Sequence, residues 1–307
     1  MPNPTGLRPY SAGHFEILLD GHKTSSALKS VDGGWMKMQL IDEPTGSELN
    51  HVKHGGILDI DPVTIDFNMA GAYEILKWIQ SSWRKEWSRR NGEIIHADFN
   101  KKQTFSQEFS DALITETTFP TLDGQSKEVP NMKVKFQPEK VVLTKKEGAQ
   151  IKSNQGVKQK TWLASSFRLS IEGISNLDKV NKIEAFTIKQ GVKKLYVGQD
   201  RFPTVEPTKI EYPNLVCTIA EAYGADLLKW HQDVMNGKKE AEGQLTGSLE
   251  FLNAAKESLF RLNLYEVGIL SFSIVQATAN EDKIKRVKFE LFIGRMDLDG
   301  EKGLGLE

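Results

Sequence analysis

The sequence predicts a mainly β (α+β) protein: two tandem antiparallel β-barrel or sandwich domains, each with one flanking helix. Three observations predict it. A phrase of alternating apolar residues ending in acid-Gly occurs twice, as "FEILLDG" from Phe15 and "FRLSIEG" from Phe167. Most of the remaining apolar pattern has the period of two that marks strands. One segment in each half switches to the period of a helix. The chain has 307 residues, enough to bury two cores.

The repeat comes first because it sets the architecture. At an offset of 152 positions Phe15 falls on Phe167, Gly21 on Gly173 and Trp78, in "ILKW", on Trp230, in "LLKW". The same offset places Asp98 and Phe99 on Glu250 and Phe251, and Gly148 on Gly300. A one-residue slip aligns Val134-Lys135-Phe136 with Val287-Lys288-Phe289. A unit of about 150 residues is the size of a domain. The expected boundaries are therefore residues 1–148 for one domain, 149–162 for a linker and 163–307 for the second. The polar run from Lys145 to Trp162, rich in Lys, Gln and Gly, supports the linker. The alternative is an exposed hairpin within one continuous domain.

Within each unit, Phe15, Ile17 and Leu19 alternate on one face, as do Phe167, Leu169 and Ile171. Asp20-Gly21 and Glu172-Gly173 then provide turn chemistry, since glycine accepts positive φ. A second strand is expected at Trp35 to Ile41 and at Ile183 to Ile188, so that a hairpin opens each domain. Val63, Ile65 and Phe67 form the next alternating strand, answered by Leu215, Cys217 and Ile219. From Ala70 to about Arg89, Ile75, Ile79, Trp83 and Trp87 recur every four residues and predict a helix. Its counterpart carries Leu227, Trp230 and Val234 and is stopped by Asn236-Gly237. Strands follow again, among them "ALITETTF" and "MKVKFQPEKVVL" in the first unit and "ESLFRLNLYEVGILSFSIVQ" in the second.

Lys and Arg number 40 against 41 Asp and Glu, so no bulk basic field favours nucleic acid or anionic lipid. No stretch approaches the ~18 apolar residues of a membrane span. The opening "MPNPTGLRPYSAG" lacks a signal-peptide pattern, which predicts cytoplasmic synthesis. Cys217 is the single cysteine, expected as a small core side chain. No cofactor is implied, because the phosphate-loop, dinucleotide, nucleophile-elbow and zinc-protease signatures are all lacking. His51 and His54, with Asp59 and Asp61 downstream, could hold a metal, but their Gly-rich polar context predicts a solvated loop. An enzyme is not expected.

"SSWRKEWSRRNG" is the most distinctive local feature. Trp83 and Trp87 stand one predicted helical turn apart among Arg84, Arg89 and Arg90. Three readings stay open. The indoles cover the core while the cations face water; the segment anchors a subunit interface, where Trp and Arg are enriched; or it stacks on nucleic acid or lies on lipid. Exposed aromatics such as Trp35 and Trp162 would instead serve a tandem β-domain carbohydrate- or ligand-binding protein.

The repeat unit resembles the tail tube protein family of contractile-tailed phages, which is also the inner tube family of extracellular contractile injection systems. The resemblance rests on order: the "FEILLDG" opening, an alternating strand before the helix with "ILKW", an acidic residue before Phe99, and the closing "VKFQPEKVVLTKKEG". It implies domains of the tail-tube type, six to a ring, with rings stacked into a hollow tube for DNA or effector cargo. It also implies homo-oligomerisation and contact with neighbouring tube, sheath, hub or baseplate proteins, in the tail or injection particle when mature. Two copies in one chain allow either three chains in a pseudo-hexameric ring or six chains in two stacked layers.

Overall fold

The computed structural model describes residues 14–23, 28–44, 46, 51–68, 72–146, 148–151, 162–198, 200–237, 245–253, 255–275 and 284–299. Most of the expected linker, residues 152–161, lies outside them, as does Gly300. The first half contains β1 (His14–Leu19), β2 (His22–Lys23), β3 (Leu28–Asp32), β4 (Met36–Pro44), β5 (His51–Ile60), β6 (Val63–Asn68), α1 (Tyr73–Trp83), β7 (Arg90–Ala97), β8 (Gln103–Phe119), β9 (Leu122–Asp123), β10 (Asn131–Gln137) and β11 (Lys140–Lys145). The second contains β12 (Phe167–Ile171), β13 (Lys182–Ile183), β14 (Phe186–Leu195), β15 (Thr204–Glu211), β16 (Leu215–Ala220), α2 (Ala225–Met235), β17 (Leu245–Leu252), β18 (Ser258–Ile274) and β19 (Arg286–Asp299). Among the described residues the protein is mainly β, with two α-helices and antiparallel sheets.

In the first half β1 pairs with β7 and β7 with the start of β8. The start of β8 also pairs with β11, and its end with β10, which continues to β6 and β3. In the second half the order is β12-β17-β18-β19-β16-β13. The order is thus the same, with β19 running unbroken where Pro138 separates β10 from β11. Proline has no N–H to give to a ladder, which accounts for the break.

Irregularities recur as well. The β7–β8 ladder shifts register between Arg90 and Gly92, which faces Phe109; the β17–β18 ladder shifts between Leu245 and Gly247, which faces Leu264. Asp111 and Glu266 both have positive φ, of 53° and 54°, at matching points of the two long strands. A Cβ on Gly92 would lie 2.3 Å from the Leu18 carbonyl oxygen, and one on Gly247 2.6 Å from that of Ser170. Both sites therefore need glycine, so that the first strand of each half can approach.

These matches fix the offset and correct the sequence alignment. Before and within the helices it is 152, as expected: Phe15 faces His96 and Phe167 faces Phe251, while Gly21 and Gly173 both turn at φ near +80°. After the helices it is 155, because the connection from α2 to β17 is longer than that from α1 to β7. Phe99 is therefore not the partner of Phe251; it is exposed beyond the end of β7, whereas Phe251 is buried in β17. His96 takes that place. It stacks on Phe105 with ring centroids 4.3 Å apart, as Phe251 stacks on Phe260 at 4.1 Å. Likewise Val134 corresponds to Phe289, not to Val287, each lying in the middle of the ladder to β6 or β16.

Two further expectations change. Asp20-Gly21 makes a two-residue hairpin loop, both residues with positive φ, but it joins β1 to the short β2. The strand from Met36 pairs with β5 in a separate exposed hairpin. In the second half, Ile183 and Ile188 fall in β13 and β14, separate strands bound to different neighbours. The predicted helix also ends early, at Trp83. Lys85 has φ of 60°, its N–H bonds to the Ser82 carbonyl, and that of Glu86 bonds to the Ser81 carbonyl. This is the paired bonding of a Schellman cap, with lysine in the left-handed position where glycine is usual. Gly237 occupies the same position after α2.

Trp78 and Trp230 are buried at matching positions of the two helices. One apolar core runs through both halves, from Ile17 to Leu298.

Candidate interface site

The halves meet edge to edge. β14 adds to the free edge of β8 with Thr187 opposite Thr118 and Ile188 opposite Thr117, and the two threonine hydroxyl oxygens are 2.9 Å apart. β9 pairs with β13 beside it. Phe119, at the end of β8, stacks on Phe186 with centroids 4.9 Å apart and lies 6.3 Å from Trp83. Burying each of these large side chains contributes about 1.5–3 kcal/mol.

The segment singled out in the sequence lies against this junction. Trp83 is buried as the last residue of α1. Arg84 donates to both carboxylate oxygens of Asp297 on β19, from Nε at 3.1 Å and Nη2 at 3.0 Å. Gln80 donates to the Leu298 carbonyl, and Ser82 bonds to Gln190 on β14. Arg89 reaches Glu139 at 2.5 Å and the Val205 carbonyl at 2.7 Å, with Glu206 at 3.3 Å. Arg90 turns the other way and holds Asp20 at 2.5 Å, beside the first hairpin. Trp87 is half-buried with φ of 49°, outside the helix, so the two indoles do not stand on one helical face. The Trp78 indole N–H donates to the Ser88 carbonyl and pins the loop that carries Arg89.

Local pattern did not identify the partners of these arginines, because Asp297, Glu139 and Val205 are distant in sequence. Asp59, weighed as a metal ligand and passed over for a solvated loop, takes Lys194 of β14 at 2.5 Å. Burial opposes ionisation of Asp59, but the hydrogen bond and charge of Lys194 outweigh it and hold the carboxyl below its usual range. Asp61 pairs with Lys37. His51 and His54 belong to strand β5, not a loop, and their rings face Asp42 at 2.9 Å and Glu43 at 3.7 Å. Partly exposed ion pairs contribute only about 0–1 kcal/mol each. The charged contacts therefore set register, while apolar burial supplies most of the stability.

Trp162 is buried, with its indole N–H on the Ser166 carbonyl and its ring edge-on to Phe251, so it is no ligand platform. Trp35 is exposed near Phe105. Cys217 is fully buried, and burial raises its thiol pKa. No helix among the described residues is long and apolar enough to cross a membrane.

Residues 11–142 match the family model of the T4-like virus tail tube protein gp19, a span confined to the first half. No curated protein matches the chain by sequence. Among solved structures, a chain of the PVC sheath-tube complex, an extracellular contractile injection system in the extended state, is 18% identical with a TM-score of 0.40, over 45% of this chain and 93% of that one. A chain of the anti-feeding prophage tube terminating cap is 17% identical with a TM-score of 0.37, over 46% and 93%. Hcp1 from Flavobacterium johnsoniae is 12% identical with a TM-score of 0.27, over 44% and 94%.

Proposed function

We propose that this chain, whose residues 11–142 match the T4-like virus tail tube family, is a structural ring component of a contractile phage tail or contractile injection system. Its halves are two copies of the tube domain, residues 1–148 and 163–307, joined by 149–162. The observation that carries this reading is the recurrence of one strand order, with the same register shifts, in both halves. The role is assembly rather than catalysis. The chain builds a tube, tube-initiator or terminal adaptor ring, through which DNA or effector cargo passes, and contacts neighbouring tube, sheath, hub or baseplate proteins.

The junction supports one arrangement over the other. The copies lie side by side through β8 and β14, as neighbours around a ring, and a stacked pair would not share a sheet edge in this way. Three chains would then supply six domains. Averaged top views of purified particles by electron microscopy test this, with threefold symmetry as the expected result. Sixfold views would favour the six-chain arrangement. Monomers alone, even alongside neighbouring tail components, would contradict the ring.

A further inference from the structure

The junction inside the chain uses one face of each half and leaves the corresponding faces unmatched. The first half presents α1 and the end of β8; the second presents β14 and the end of β19. The second half has its own such helix and strand end, α2 and residues 271–274 of β18, and the first has its own hairpin and strand, β4 and β11. At the closed junction Leu76, Trp83, Phe119 and Ile188 are all at most 4% exposed. At the offsets fixed by the strand registers their counterparts are Leu228, Met235, Ile274 and Met36, which are 40%, 61%, 55% and 38% exposed. All four remain apolar, although nothing among the described residues covers them. Residues 271–274 pair with β19 on one edge only, and β4 pairs with β5 alone among the described residues. Open apolar edges of this kind are templates for another strand.

We propose that β18 of one chain receives β4 of a second copy of the same chain, in the register of the internal junction. Trp35 then lies opposite Ser273, as Thr187 lies opposite Thr118, and Met36 lies opposite Phe272, as Ile188 lies opposite Thr117. α2 rests on β11 of that second copy. Gln232 holds the helix position of Gln80, and Leu143 the strand position of Leu298, whose carbonyl Gln80 bonds. Each chain carries one face of each kind, so the contact is head-to-tail, and it closes where the rotation per half divides the circle. This inference rests on the reading of the halves as two copies of one domain.

Disulfide trapping tests it. Thr118→Cys with Thr187→Cys serves as the internal control, and Trp35→Cys with Ser273→Cys probes the contact between chains; the native Cys217 is fully buried and does not compete. Mild oxidation of the second variant should give crosslinked dimers and trimers on a non-reducing gel, with nothing larger if three chains close the ring. Assembled rings in which the control pair crosslinks, but the thiols introduced in place of Trp35 and Ser273 do not, would overturn the register while leaving the ring reading intact. A chain that stays monomeric under all conditions overturns both. Should the double variant fail to fold, Met36→Glu, at an exposed site, is the second probe. It should leave the fold intact by circular dichroism and convert the oligomer to monomer, whereas an unchanged oligomer contradicts the proposal.

Discussion

Helices α1 and α2 have the same length and share apolar residues at Ile75/Leu227, Leu76/Leu228, Trp78/Trp230 and Trp83/Met235, with His231 in place of Ile79, yet α1 buries seven of its residues and α2 only Leu227 and Trp230. On the inner face both helices place a tryptophan in the core, Trp78 and Trp230. The outer face differs because α1 lies against β19 of the other half, whereas no described residue plays that part for α2. An apolar stripe thus records which surfaces must be covered, and the chain's connectivity decides which of them are covered from within.

The largest break in this comparison comes from truncating matched positions. Trp83→Ala should cost about 3–5 kcal/mol of unfolding free energy, through lost burial and the cavity left behind. Met235→Ala, at the equivalent position, should change the stability of the isolated chain by less than about 0.5 kcal/mol. Denaturant titration of both variants checks this, and equal losses would mean that the two faces are covered alike.

Gly92→Ala and Gly247→Ala ask instead whether the halves are alike where they should be. Each added Cβ meets the carbonyl of the neighbouring first strand. Both should destabilise by about 1–3 kcal/mol. If only one does so, the match between the two ladders fails.

A smaller effect is expected at the helix ends. Lys85 holds a left-handed conformation that Gly237 holds without strain. Lys85→Gly should raise the free energy of unfolding by about 1 kcal/mol, seen as a higher unfolding midpoint, through relief of the left-handed penalty. No change or a loss would argue against the cap described for α1.

His96, in the place of Phe251, should give the smallest effect. Burial lowers its pKa, and the hydrogen bond to Gln107 offsets this only in part. The unfolded chain then takes up a proton near the ordinary histidine value of about 6.5 before the folded chain does. Stability is full above that pH and falls as the pH drops below it, towards the depressed folded value. His96→Phe, which installs the residue type of the other half, should flatten this part of the stability–pH curve measured by thermal unfolding.

The parts legible in the sequence were local. Alternation placed β1, β6, β12 and β16, and the Trp78 and Trp230 motifs fixed the offset as far as the helices. Beyond them the register was lost, because the longer connection after α2 leaves no mark in composition and Phe99 happened to fall on Phe251. The fourfold spacing continues through Trp87 and so extends the expected helix to about Arg89, and the lysine at its cap carries none of the warning that Gly237 gives. The partners of Arg84 and Arg89 were invisible for a different reason. Asp297, Val205 and Glu206 depend on β14 adding to β8, a pairing between residues far apart in the chain and without a local signature, and Glu139 lies 50 residues from Arg89.

The central claim is that the closed junction within the chain is repeated between chains, and amide hydrogen exchange on matched segments tests it most directly. In isolated chains, peptides covering residues 116–119, of which 116–118 are paired on both edges, should be protected, while those covering residues 271–274, paired on one, exchange faster. In assembled particles residues 271–274 and the region around residues 35–37 should gain protection together, to the level of residues 116–119. Assembled particles in which residues 271–274 exchange as they do in the isolated chain would contradict it.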